Sequence, residues 1–296
     1  MHCKEFYSSL KKAVEKRDDI ILEACAVLEY KRGKYGLIKI SSECIDANDR
    51  ILLIRAGIHG DEVSGPLCIL HNLGEIFEYA HKNNVKLIIY PLGNPSGFDN
   101  GKRYNEDNEK ANDDFKRYEL EDGTISDDLG SSTSYKKWHW APLEKLPKET
   151  QAMHKELKKL PLRQIKGVLD LHQDYLMPNA RPAAYHYSFG NLSIYKGIIG
   201  KIRKIVPILA DTAINSGFGV QTDSSGKVIS SEGESIKTNS NGFIVRYDCT
   251  LPDLMRELGA KYCVTAETTG PTPIKIAEQV NLIWIRGIIG LVKPNN

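Results

Sequence analysis

The stretch "ILLIRAGIHGDEVSGP", residues 51–66, decides how this chain is read. Its first part, within "RILLIRAGI" (50–58), lacks polar alternation and reads as a strand buried on both faces. Its second part releases His59, Asp61 and Glu62 into a turn around Gly60. A turn needs glycine, but it does not need an imidazole and two carboxylates at its tip. From Pro66 onward, "PLCILHNLGEIFEYAHK" (66–82) repeats apolar positions at helical intervals, with the proline tolerated in a first turn.

The same alternation of buried strand and amphipathic helix extends outward. "VKLIIYPLG" (85–93), "IKGVLDLHQD" (165–174) and "AKYCVTAE" (260–267) are further apolar strands, and "GNPSGF" (93–98) is a turn by composition. Helical spacing recurs in 6–19, 150–160, 191–206, 252–259 and 273–292. Near the N-terminus, "IILEACAVLEY" and "YGLIKISS", separated by "KRGK", predict a hairpin. The expected fold is α/β: one domain over 1–296, with a mixed, mostly parallel sheet flanked by helices on both faces. Residues 105–130 hold ten carboxylates against three basic groups and read as an acidic surface excursion. Residues 222–242, rich in Ser, Gly and Asn, read as a long mobile loop suited to act as a lid over substrate.

Bulk composition excludes several function classes. A net charge of +2 with dispersed basic residues argues against nucleic acid as a partner. No run approaches the length of a membrane span. The N-terminus lacks an apolar signal core, and the six cysteines are widely separated, so the expected location is the cytoplasm. Neither a GxSxG elbow nor an HExxH helix is present.

What remains is a set of polar groups at strand ends: His59 with Glu62, His172 with Asp174, and Glu267. Ligand sites in open α/β sheets form beyond the carboxyl ends of strands, so these residues can converge despite their separation. Two imidazoles and a carboxylate are a common zinc set that leaves a position open. Zinc lowers the pKa of its water, and a carboxylate such as Glu267 is then needed to take the proton. Alone, His-x-x-Glu is a weak signal: it occurs again at His2–Glu5. Each residue also has a bland explanation, Glu62 as a favourable charge at a helix start and His172 as a core histidine.

Taken together, the motifs resemble the zinc metallocarboxypeptidases, the carboxypeptidase A-like peptidases, and the related succinylglutamate desuccinylase/aspartoacylase branch. "HGDE" resembles the family's first ligand pair, "GNPSGF" its Asn-Pro-x-Gly-Phe turn, "DLHQD" the segment of its third ligand, and "GAKYCVTAE" the segment that ends in its catalytic glutamate. The resemblance implies one zinc ion held by His59, Glu62 and His172. It implies that Glu267 takes a proton from zinc-bound water and delivers it to the leaving amine. It further implies that Arg103 steadies the oxyanion and that Tyr247 closes over substrate.

One departure stands out. Where the family carries Asn-Arg to grip a terminal carboxylate, this chain has Asn112 and Asp113 in "KANDDF". An aspartate there repels a carboxylate and attracts an ammonium, unless Arg117 or Arg246 substitutes. The expected activity is zinc-dependent cleavage of an amide bond in a small peptide or peptide-like substrate. The alternatives are an N-acyl amino acid deacylase and a non-catalytic binding module. Asp61 and Asp174 leave room for a second metal.

Overall fold

In the computed structural model, eight strands form one twisted sheet: β1 (Ile20–Glu29), β2 (Lys34–Ser42), β3 (Ile51–Ala56), β4 (Lys86–Tyr90), β5 (Ile165–Asp174), β6 (Ala184–Ser188), β7 (Phe243–Ile244) and β8 (Tyr262–Thr269), in the order β1-β2-β4-β3-β5-β8-β6-β7. The structure describes the chain except residues 16, 176–180, 215–219, 223–227, 232–235 and 295–296. The central four strands run parallel; β1 meets β2, β2 meets β4 and β6 meets β8 antiparallel, and β7 runs parallel to β6.

Burial on both faces explains why β3 reads as unbroken apolar sequence. Leu52, Ile54 and Ala56 point to one core, while Ile51 and Leu53 point to the other. Alternation about a pleat sends successive side chains to opposite faces. The larger core packs helices α1 (Cys3–Val14), α2 (Ser64–Lys82), α5 (Lys196–Ile202) and α7 (Ile274–Val292) on the first face. On the second face lie α4 (Lys148–Leu157) and α6 (Leu251–Glu257). Close packing of α7 on the sheet depends on Gly167, where a Cβ would come within 2.7 Å of Val292 and 2.9 Å of Ile288.

Several elements differ from expectation. "GNPSGF" opens the short helix α3 (Pro95–Asn100), because Asn94 caps it by accepting from the Gly97 amide at 2.8 Å and Pro95 sits in the first turn. The segment 191–206 begins as a 3₁₀ turn, Leu192–Tyr195, before α5. The strands β6 and β7 had no counterpart in the sequence reading.

The acidic excursion is more than a surface feature. Two of its segments, Lys116–Glu119 and Ile125–Ser126, join Lys137–Trp140 in a three-stranded antiparallel sheet with Lys116–Glu119 in the middle. Phe115, Lys116 and Tyr118 are fully buried there, and the Lys116 amino group pairs with Asp253 at 3.0 Å and Glu257 at 3.1 Å. Counting charges hid this alternation, since a buried lysine reads as solvated until its carboxylate partners are known. Of the lid expected at 222–242, residues 223–227 and 232–235 lie outside the described residues; of the rest, Val228–Ser231 pairs antiparallel with Val220–Thr222, and Ile236–Lys237 with Ala213–Ile214. No helix among the described residues is long and apolar enough to cross a membrane.

Candidate metal centre

Parallel pairing brings the strand-end residues together. Register places His172 of β5 directly beside Glu267 of β8, and Arg55 of β3 beside Asp170 of β5. His172 and Asp170 are two residues apart and therefore share a face, the one covered by α4 and α6. The turn after β3 adds His59 and Glu62.

That turn is held by unusually close backbone approach. Gly57 takes a positive φ of 62°. Gly60 does not, so its role differs from the turn-maker read from sequence. A Cβ on Gly60 would lie 2.1 Å from the Gly97 carbonyl carbon and 2.2 Å from the Phe98 nitrogen. The Gly60 amide donates to the Arg103 carbonyl at 3.1 Å, and the Asn94 side chain donates to the same carbonyl at 3.2 Å. The turn, α3 and the Arg103 segment are thereby locked into one unit.

His59, Glu62 and His172 are buried, and their donor atoms all lie within 4.8 Å of one another. His59 Nδ1 is 2.8 Å from Glu62 Oε1, His172 Nδ1 is 2.9 Å from Glu62 Oε2, and the two Nδ1 atoms are 3.2 Å apart. The Gln173 amide donates to Glu62 Oε2 at 3.1 Å, and Arg103 Nη1 donates to Oε1 at 2.7 Å. On the far side of the ring, His172 Nε2 lies 3.1 Å from Asp170 Oδ2. Arg55, fully buried, grips that carboxylate with two nitrogens and reaches Asn112 Oδ1 at 2.7 Å. A carboxylate behind a metal-binding imidazole fixes its orientation and raises its basicity. The donor set therefore fits a divalent ion of the zinc type: two imidazole nitrogens and a carboxylate converge on one buried point.

Electrostatics within the cluster are strongly coupled. Burial pushes His59 down to about 4, against the pull of Glu62. His172 is raised despite its burial, by Asp170, Glu267 and Glu62. Burial resists ionisation of Glu62, but His59 and His172 outweigh it and hold its carboxyl low. Glu267 goes the other way: burial, Glu62 and Asp174 raise it, with His172 opposing. Its Oε1 is 3.8 Å from His172 Nδ1, and its buried Oε2 has no hydrogen-bond partner.

A cavity of about 190 Å³ opens beside this cluster, with His59, Glu267, Arg103, Asn112 and Asp113 on its wall. Tyr247 is placed elsewhere. Its ring packs in a cluster with Tyr118 and Cys249, against Phe189 and under the Arg256 guanidinium. Tyr187, which the sequence reading missed, lines the cavity instead, as do Arg246 and Asp248. Arg117 is turned to Asp114, at 2.5 Å. Asp61 and Asp174 lie near the centre, where Asp174 accepts from the Tyr185 hydroxyl at 2.6 Å. The second His-x-x-Glu copy is a helix cap: Glu5 accepts from the His2 amide at 3.1 Å on the exposed start of α1.

Comparison with known proteins bears on the fold and the resemblance. Residues 48–177 match the succinylglutamate desuccinylase/aspartoacylase catalytic domain, a span that holds His59, Glu62, Arg103 and His172 and ends before Glu267. Among solved structures, a Shewanella amazonensis SB2B protein with a provisional metallopeptidase assignment is similar at 22% identity and a TM-score of 0.69, over 99% of this chain and 94% of that one. Bovine thrombin-activatable fibrinolysis inhibitor is similar at 17% identity and a TM-score of 0.61, over 99% and 97%. A metallo-carboxypeptidase from Burkholderia cenocepacia follows at 10% and 0.62, over 97% and 68%. No curated protein matches. The chain has the carboxypeptidase fold. Both comparisons support the resemblance to the zinc carboxypeptidase-like proteins and their desuccinylase/aspartoacylase branch.

Proposed function

We propose that this protein is a zinc-dependent hydrolase of an amide bond in a small peptide or peptide-like substrate, with His59, Glu62 and His172 as ligands of one ion. The observation that carries the reading is a buried His-Glu-His donor set beside a carboxylate, Glu267, which lines a cavity and whose buried Oε2 has no hydrogen-bond partner. A zinc ion so held supplies Lewis-acid polarisation of a carbonyl and acidification of water. Glu267 moves the proton: its dry setting raises its proton affinity toward the range where a carboxylate can accept a proton and return it to a leaving amine. Arg103, fixed by its bond to Glu62, presents a cation at the cavity wall where the carbonyl oxygen gains charge. Asp170, backed by Arg55, holds the His172 ring in place.

The 48–177 match favours a second reading, an N-acyl amino acid deacylase with the same ligands. Metal analysis followed by a panel of short peptides and N-acylated amino acids, with and without chelator, separates the two. Release of an amino acid from a peptide supports the first; release of a small acid supports the second. Protein that takes up no stoichiometric zinc and hydrolyses nothing would leave only a binding module.

A further inference from the structure

The cavity carries more negative charge than proton transfer requires. Its outer wall includes Asp113, Asp248, Asp128, Arg246, Tyr187 and Phe189. Both arginines on the wall are already engaged, Arg103 by Glu62 and Arg246 by Asp128. Arg117, the other candidate for gripping a carboxylate, is bonded to Asp114 and to the Lys116 carbonyl. Neither Asp113 nor Asp248 has an ion pair with a basic side chain among the described residues. Burial raises both carboxyls; Asp114 adds to this at Asp113 against His172, Arg55 and Arg103, and Asp113 and Asp253 add to it at Asp248 against Thr250 and Arg246. That a ligand belongs in this space follows independently from Glu267, more than nine-tenths buried, with Oε2 unpartnered.

We propose that the cavity takes an amide substrate bearing a free ammonium group, which Asp113 and Asp248 clasp while Tyr187 and Phe189 flank its alkyl stem. This rests on the reading of the cavity as a substrate site. Two poorly solvated carboxylates that repel one another are both relieved by a cation between them. A substrate carboxylate at the same point meets like charge in a poorly solvated setting. The aromatic rings suit an ammonium stem, through apolar contact and the attraction of a cation to a ring face. About 190 Å³ admits one group the size of an amino-acid side chain.

Calorimetric titration with 1,5-diaminopentane and with glutarate, a dication and a dianion of similar length, tests this without requiring turnover. Each titration is run on zinc-loaded and on chelator-treated protein, so that amine coordination to the metal is not mistaken for clasping. Diaminopentane is expected to bind both forms at least tenfold more tightly than glutarate. Asp113→Asn and Asp248→Asn should each weaken it at least tenfold without lowering zinc content. Equal or tighter binding of glutarate overturns the proposal, as does diaminopentane binding unchanged in both variants. If the variants fail to fold, the wild-type preference between the two ligands decides. The hydrolase reading fails separately: protein that clasps the diamine yet cleaves no amide sinks that reading alone. A zinc hydrolase that prefers carboxylate-bearing substrates sinks the ammonium clasp alone.

Discussion

A single residue can separate metal binding from proton transfer at this centre. Glu267 contributes no atom to the His-Glu-His donor set, although it stands beside His172 in register. Glu267→Gln keeps the shape and loses the proton-accepting oxygen, so zinc content should remain at one per chain while kcat falls by about 10²–10⁴-fold. His172→Ala removes a donor and should lower zinc affinity itself. Metal analysis beside steady-state kinetics reads both, and wild-type turnover in the Glu267→Gln protein refutes the assignment. At this scale the sequence was informative wherever a polar side chain ended an apolar strand, as with His59, His172 and Glu267. It was silent on Arg55 and Asp170, which sit inside the apolar runs "ILLIRA" and "VLDLH". Their meaning appears only when register pairs the two strands, since an isolated charge in a buried strand is costly and a matched pair is tolerated. The ring of Tyr247 turns into the Tyr118 cluster, while its neighbours Arg246 and Asp248 line the cavity.

At the scale of elements, the geometry of the centre depends on how closely segments approach. The Gly60 turn packs backbone to backbone against α3, leaving no room for a methyl group. Gly60→Ala should destabilise by about 1–3 kcal/mol or more, because backbone cannot move aside as a flexible side chain can. It should also reduce zinc uptake, since Glu62 and Arg103 shift with the turn; equilibrium unfolding and metal analysis check the two effects. The strand β6 supplies a different kind of test. His186 is fully buried against Phe243 and Trp284 with both ring nitrogens unpartnered, and burial holds it down to about 3. In the unfolded chain a histidine titrates near pH ~6.5. The unfolded state therefore binds the proton first as pH falls, so stability is complete above about 6.5 and is lost progressively toward about 3. His186→Phe should flatten that acid-side loss, on the order of a few kcal/mol, while changing stability little at pH 7. Urea unfolding at pH 7 and pH 4.5 measures it, and identical pH slopes in the two proteins would disprove it. Strand β6 escaped the sequence reading because "AYHYS" is short and carries a histidine in its middle. The long apolar strands and α2 and α7 were legible, because two-sided burial and sustained helical spacing leave unambiguous patterns.

For the whole molecule, the centre links metal occupancy to folding. It draws ligands from segments more than a hundred residues apart, His59 and Glu62 after β3 and His172 in β5, with Glu267 on a third strand. An unfolded chain cannot hold these donors together, so an ion that binds them favours the folded state by mass action. At free zinc ~1,000-fold above the dissociation constant, the gain is about 4 kcal/mol. For a chain of this size that should raise the thermal midpoint by several degrees. Chelator treatment should reverse the gain, and zinc should restore it. The His172→Ala protein should respond little to either, and Glu267→Gln should respond as the native chain does. That pattern distinguishes loss of a ligand from loss of the proton carrier without any substrate. If the native midpoint is indifferent to chelator and zinc, the three convergent side chains hold no ion, and the buried Glu62 is neutralised by its histidines and Arg103 alone.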